Sequence, residues 1–234
     1  MNTAPKTKKQ ENMLHSLIFN IALPSFILMK ASKEAYLGPQ LALVVALAFP
    51  AIYMIYDFRK RGDYSLVSIL GFINVLLTGG LGLMKVEGIW FAVKEAAVPG
   101  VIGLACLASL KREKPLTYAL LFNEAVFNIA RVNEELNSSD KKAGFNSIMK
   151  STTVLLALSF FLSSILNFIL AFILIKSPSG TEAFNEELAK MQLMSYPVIV
   201  IPSMLMMGFA FYKLFSGIKN LTGLTLEDIV HQKK

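Results

Sequence analysis

The sequence is poor in the residues from which catalytic and metal centres are built. Its 234 residues include one cysteine, Cys106, and two histidines, His15 and His231, near opposite ends. A single cysteine excludes a disulfide within the chain, and the three residues form no recognisable metal-ligand cluster. No serine, threonine or cysteine has a plausible histidine partner, and neither a P-loop nor a glycine-rich dinucleotide turn is present. We therefore expect a protein that is not an enzyme and carries no cofactor.

Charge is scarce as well. Charged residues make up 17% of the chain and hydrophobic residues 54%, whereas soluble domains average about 25% and about 45–50%. The net charge of +7 does not indicate a nucleic-acid partner, because the basic residues are not collected on one face with aromatic residues between them. They stand at the ends of apolar runs, as the positive-inside rule requires. The composition indicates a polytopic membrane protein whose first partner is the lipid bilayer.

Residues 71–115 show this pattern most clearly. Two apolar runs flank a short polar turn, and the second run stops at the sequence KREKP. A membrane-spanning helix satisfies every backbone amide within itself and ends where charge begins. The stretch therefore predicts a transmembrane hairpin.

The other apolar runs extend the hairpin to six predicted spans, at about 14–29, 39–56, 64–84, 90–110, 151–175 and 192–212. With this arrangement 17 of the 23 Lys and Arg residues fall on the side of both termini, which favours cytoplasmic termini. The sequence thus predicts an all-α, polytopic transmembrane helical bundle. We assign residues 1–12 to a disordered cytoplasmic tail, 13–114 to spans one to four in two hairpins, 115–150 to a cytoplasmic amphipathic helix and loop, 151–216 to spans five and six, and 217–234 to a cytoplasmic tail.

The amphipathic helix is predicted from its periodicity. At about 100° per residue, one narrow polar stripe contains Thr117, Glu124, Asn128, Arg131 and Glu135. The opposite face is broad and apolar. Such a helix lies in the cytoplasmic membrane interface or packs against the bundle.

The residues that could carry chemistry lie mainly in the predicted fourth span. Lys94 and Glu95 follow Trp90 and Phe91 about one turn inside it, and ionisable groups in a span are costly. One interpretation makes Lys94 an interfacial anchor whose ammonium reaches the headgroups, with Trp90 in the aromatic belt. The other places the charge in a polar cleft between helices, where it binds an anionic group or a lipid headgroup. Asn74, with the other in-span amides Asn20 and Asn167, predicts interhelical hydrogen bonds or a substrate contact.

Small residues predict close helix packing. Gly79, Gly80 and Gly82 lie in the predicted third span, and Gly100 and Gly103 lie in the fourth. We expect these glycines to let the two backbones approach one another. Unwound backbone at a transport site is the alternative interpretation.

One part of the sequence resembles the intracellular septation protein A family of bacterial inner-membrane proteins. The resemblance covers about residues 23–121 and rests on an ordered set: Gly79-Gly80-Leu81-Gly82-Leu83, the acidic turn at Glu87, Trp90 and Phe91, Lys94, and a helix closed by Lys111 and Lys114-Pro115-Leu116. The family's lysines stand closer to a tryptophan than Lys94 stands to Trp90, and the last two spans have no counterpart. The resemblance implies a multi-pass protein of the bacterial inner membrane, with Gly79, Gly80, Trp90 and Lys94 as its matching residues.

Two classes of function follow. The first, implied by the resemblance, is a non-enzymatic inner-membrane protein that supports cell-envelope synthesis or division through membrane protein partners. The second is a small-solute or ion transporter or channel with a site near Lys94 and Glu95. No oligomeric state is indicated by the sequence.

Overall fold

The computed structural model describes residues 18–61, 77–80, 83–84, 88–124, 126–136 and 139–230. Its helices, numbered in chain order, are α1 (Leu23–Lys30), α2 (Gly38–Arg61), α3 (Gly88–Ser109), α4 (Thr117–Leu120), α5 (Ile129–Glu135), α6 (Ser139–Leu174), α7 (Glu182–Ser195), α8 (Ile201–Thr222) and α9 (Leu226–Ile229). Residues 77–80 are also helical. Two π-helical turns, Ile18–Ala22 and Tyr196–Val200, lead into α1 and α8. The described residues contain no β-strand, so the predicted all-α fold class is confirmed.

Four stretches of helix in the described residues are long and apolar enough to cross a membrane: Gly38–Tyr56, Gly88–Ser109, Asp140–Leu174 and Glu182–Thr222. They contain the predicted second, fourth, fifth and sixth spans, apart from the last residue of the fourth, Leu110, and of the fifth, Ile175. Only 17–28% of their most apolar windows is buried, so each presents a large apolar surface that water would not stabilise. The chain is compatible with an integral membrane protein.

The first and third predicted spans are described only in part. The described part of the first begins as the π-helical turn and continues as α1, which has 8 residues and is too short to cross a bilayer by itself. Most of the third span, at residues 64–76 and 81–82, lies outside the described residues. The same holds for the N-terminal tail with the start of the first span, at 1–17, and for the last four residues, 231–234. The count of six and the side of the termini remain predictions.

Two helices are longer than their predicted spans. Helix α6 begins at Ser139 and has 36 residues, or about 54 Å at 1.5 Å per residue, against about 30 Å of hydrocarbon core. Its first turns belong to the interval that we had assigned to a separate helix and loop. They continue the helix because Phe145 and Met149 bury their side chains in a protein core.

The loop predicted at residues 176–190 is likewise mostly helical. Helix α7 begins at Glu182, where the Thr181 hydroxyl accepts a hydrogen bond from the Phe184 amide at 3.2 Å. The Glu187 carboxylate accepts hydrogen bonds from the amides of Lys176 and Ser177 at 2.8 and 2.9 Å. Thr181 therefore caps the start of the helix, and Glu187 holds the preceding turn.

The chain divides into two compact units. Unit 1 comprises Met1–Glu95 with Asn167–Tyr196, and unit 2 comprises Ala96–Leu166 with Pro197–Lys234. In unit 1, α1 packs against α2 and α7. Gly38 adopts φ +70°, a left-handed conformation that glycine takes without strain, and Pro39 then starts α2. The buried core of unit 1 includes Leu28, Leu43, Ala46, Phe91, Phe184 and Leu188.

Unit 2 has a larger apolar core with an aromatic cluster. Phe127 is fully buried, its ring stacks on Phe215 at 4.7 Å between centroids, and Phe122 lies 5.0 Å away. Helix α8 ends at Gly223, which has φ +76°. Beyond α9, Val230 forms an isolated antiparallel bridge with Phe127.

The predicted amphipathic helix is replaced by two short ones, α4 and α5. The chain leaves the helix at Leu121, and Asn128 starts α5 by accepting the Arg131 amide at 3.1 Å. The break allows Leu121, Phe122 and Phe127 to enter the same core, where they are at most 3% exposed. In this core Phe122 meets Phe145 of α6 and Phe127 meets Phe215 of α8. The place of this segment relative to a membrane stays a prediction.

Pro99 lies inside α3. A proline ring disturbs the helical hydrogen bonds of the carbonyls one turn earlier. The Ser164 hydroxyl donates a hydrogen bond to the Ala96 carbonyl at 2.7 Å, a neighbouring-helix contact of the kind that stabilises prolines in membrane helices.

Candidate functional site

The Lys94 side chain lies inside unit 1. Lys94 is the seventh residue of α3, about 9 Å along the helix axis from Gly88. The side chain is 5% exposed and that of Glu95 is 12% exposed. A lysine that served as an interfacial anchor would place its ammonium outside the protein. The ammonium of Lys94 is instead enclosed by protein side chains.

Three groups surround the ammonium. Nζ donates a hydrogen bond to Thr78 Oγ1 at 2.7 Å. It donates another to Glu95 Oε1, with which it forms an ion pair. It also lies over the Phe91 ring, 4.7 Å from the centroid. A buried charge is costly unless it is paired and hydrogen-bonded, and these contacts provide both.

The ring beneath the ammonium is fixed by its own packing. Phe91 and Phe184 are 2% and 1% exposed, and their rings meet edge to face at 5.6 Å between centroids. Phe91 is three residues before Lys94, so the two side chains lie on the same face of α3. Helix α7, through Phe184, therefore supports the wall of the site.

Trp90 is not part of this arrangement. It is 61% exposed, as a residue of an aromatic belt would be, so the structure separates it from the lysine with which the sequence grouped it. Asn74 and Gly82 lie outside the described residues, as does the side chain of Asn20.

The described glycines have close neighbours within their own units. An alanine Cβ at Gly79 would lie 3.1 Å from Leu47 of α2, and one at Gly80 would meet nothing within 4 Å among the described residues. At Gly100 and Gly103 it would lie 3.1 Å from Ser164 and 3.0 Å from Phe161, both in α6. The small residues of α3 therefore allow a close approach of α6. The pairing of these glycines with the third span stays a prediction.

A second buried polar group in unit 1 was not singled out from the sequence. Asn185 is fully buried; its Nδ2 donates to Ser32 Oγ at 2.9 Å and to the Pro39 carbonyl at 2.7 Å, and its Oδ1 has no hydrogen-bond partner among the described residues. Two turns further along α7, Gln192 accepts a hydrogen bond from the Ser25 hydroxyl at 3.1 Å. Both pairs join α7 to α1 or to the turn after it. Asn185 and Gln192 are seven residues apart, as are Ser25 and Ser32, and this matching spacing was the signal in the sequence that two helix faces pair. It was missed because Asn185 falls between the predicted fifth and sixth spans.

Comparisons with protein-family models, with curated proteins and with solved structures find no match for this chain. Within the described residues, no group of three or more His, Cys, Asp or Glu side chains is placed to hold a metal ion. The chemistry available at the Lys94 site is therefore that of a positive and a negative charge, a hydroxyl group and an aromatic face.

Proposed function

We propose that this chain is a non-enzymatic integral membrane protein that binds a small charged solute or ion at the Lys94–Glu95 pair and moves it across the bilayer. The observation that supports the proposal is the burial of Lys94 in a helix that is long and apolar enough to span a membrane. Ionisable residues inside spans are rare, and they usually mark the path of a substrate, an ion or a proton.

The alternative is that the Lys94–Glu95 pair only stabilises the fold. The energetics of buried ion pairs argue against this alternative. Replacing a buried ion pair by apolar residues of similar volume is often neutral or stabilising by about 1–4 kcal/mol. The apolar surroundings of Phe91 and Phe184 could have been extended through Lys94 without that cost. A pair retained in this position therefore favours a task that needs charge.

The proposal is tested in liposomes that contain the purified protein. Charge movement on a solid-supported membrane is recorded for a panel of inorganic ions, amines, carboxylates and amino acids. Lys94→Ala should lower any specific signal by about tenfold or more, equivalent to about 1.4 kcal/mol, because it removes one of the two charges of the pair. Lys190→Ala is the matched control, because Lys190 belongs to the same unit and is exposed.

Two results would count against the proposal. One is wild-type flux that no solute in the panel raises above that of empty liposomes. The other is a specific flux that Lys94→Ala and Lys190→Ala lower equally. Either result leaves Lys94 as a structural charge.

We propose a second candidate function because of the sequence resemblance over residues 23–121. In this candidate the chain lies in the bacterial inner membrane and supports envelope synthesis or division through membrane protein partners. Co-purification in mild detergent at native expression, read by mass spectrometry against an unrelated six-span protein, tests it. Specific enrichment of cell-wall synthesis or division proteins supports this function, and the same background as the control removes its support.

A further inference from the structure

We propose that the Lys94 site is selective for cations, that its substrate class is a primary ammonium compound or a small monovalent cation, and that the ammonium of Lys94 is its resident occupant. This inference rests on the proposed solute-binding function and specifies the charge of the solute. It reverses the expectation, drawn from Lys94 alone, that the site binds an anionic group.

Three groups among the described residues remain at this point when Lys94 is set aside. The ammonium contacts the Thr78 hydroxyl, the Glu95 carboxylate and the Phe91 ring face. We call these three groups the ammonium cage. A carboxylate attracts a cation by its charge, a hydroxyl oxygen by its lone pairs and an aromatic face by its quadrupole. All three groups therefore favour positive charge at the same point.

An anion at this point would meet the opposite conditions. It would have to take the place of Glu95 on the ammonium while a carboxylate and the negative face of Phe91 stay nearby. Two unit charges of the same sign at 4 Å repel by about 4 kcal/mol at an effective dielectric constant of 20. Among the described residues at this site, Lys94 is the one cationic group that could offset the repulsion.

Lys94 can also leave the cage without a movement of the helix. Lys94 and Glu95 are adjacent in α3 and point about 100° apart around the helix. The ion pair between Lys94 and Glu95 therefore depends on the flexible lysine stem. Once the contacts of the ammonium break, the four methylene groups of that stem can adopt other rotamers. A cation of similar size can then replace the ammonium and keep the same three contacts.

Chemical rescue tests this inference. Lys94→Ala removes three methylene groups and the ammonium, which together match n-propylammonium. In lipid nanodiscs, n-propylammonium at ten times its dissociation constant should raise the Tm of Lys94→Ala by about 3–6 °C. Sodium propionate and 1-propanol, which have similar size but negative or no charge, should give no rise. The wild-type protein should need a much higher concentration of propylammonium for the same rise, because the ammonium of Lys94 competes for the cage.

A second change identifies the group that binds. Adding Glu95→Gln to Lys94→Ala keeps the shape of the cage and removes its charge, so the response to propylammonium should be lost. Should Lys94→Ala be recovered as aggregate, Lys94→Ser gives the same comparison, because a serine hydroxyl can bond to the carbonyl one turn earlier. The readout is then the monodisperse yield when the protein is extracted with each of the three compounds.

The outcomes separate this inference from the proposed function. Stabilisation by propionate, equal stabilisation by all three compounds, or aggregation of both variants in every compound overturns the cation cage. Flux that depends on Lys94 could still be measured in that case, and the transport proposal would stand with a different substrate. Stabilisation by propylammonium without any flux would support the cage and remove the transport proposal.

Discussion

Replacing Gly88 by alanine tests a close backbone approach in unit 1. A Cβ at Gly88 would lie 2.5 Å from the carbonyl oxygen of Ile175, just beyond the end of α6. Separations below 3.0 Å are essentially never seen for real Cβ atoms. Because the obstacle is backbone, no change of rotamer relieves the overlap, and α3 or the segment at Ile175 has to move.

The cost follows from the size of that movement. The two backbones must separate by about half an ångström before the contact becomes tolerable. Overpacking of a well-packed site costs about 1–3 kcal/mol. At about 2–4 °C per kcal/mol for a chain of this length, Gly88→Ala should lower the Tm by about 2–12 °C.

The assay is thermal unfolding in nanodiscs followed by circular dichroism at 222 nm. Gly208→Ala is the control, because Gly208 is also helical and a Cβ there meets nothing within 4 Å. Removing a helical glycine where space is open should stabilise the chain by about 0.5–1 kcal/mol. If Gly88→Ala melts at or above the wild-type temperature, the close approach of Gly88 to Ile175 is refuted.

Three further predictions concern other parts of the structure. Phe127→Ala should destabilise unit 2 by about 3–5 kcal/mol, measured as earlier labelling of Cys106, which is fully buried; unchanged labelling contradicts the aromatic core. Asn185→Ala should cost about 1–3 kcal/mol in a dichroism melt, because the Pro39 carbonyl loses its buried donor. Hydrogen bonding by Thr225 lowers the pKa of Asp228, so α9 should lose protection from amide exchange as the pH falls below about 4, and Thr225→Ala should remove that dependence.

The membrane helices could be predicted because their signal is local. A run such as residues 151–174 contains no charge, and the requirement to satisfy backbone amides inside a bilayer makes it helical whatever its neighbours are. The ends of the helices were less accessible. Polar residues continue α6 back to Ser139, and what keeps that segment helical is the burial of Phe145 and Met149 against distant residues.

The candidate site shows the same division between local and tertiary information. Lys94 and Glu95 stood out because charge inside an apolar run is costly wherever it occurs. Thr78 and Phe184, which contact Lys94 and Phe91, lie 16 residues before and about 90 residues after the pair, and no pattern in the sequence connects them. The approach of α6 to Gly100 and Gly103 was not predicted for the same reason, since glycine spacing indicates a smooth helix face without naming the helix that covers it.

The bridge between Phe127 and Val230 orders events during synthesis. About 100 residues separate the two positions, so at about 5–20 residues per second the ribosome reaches Val230 roughly 5–20 s after Phe127. For most of that interval Phe127 lacks Phe215, its stacking partner, and it lacks the complete α9 and the bridge until almost the end. The aromatic core of unit 2 therefore cannot close while the chain is being made, and its apolar residues remain open to chaperones, to lipid and to other nascent chains until translation is nearly finished.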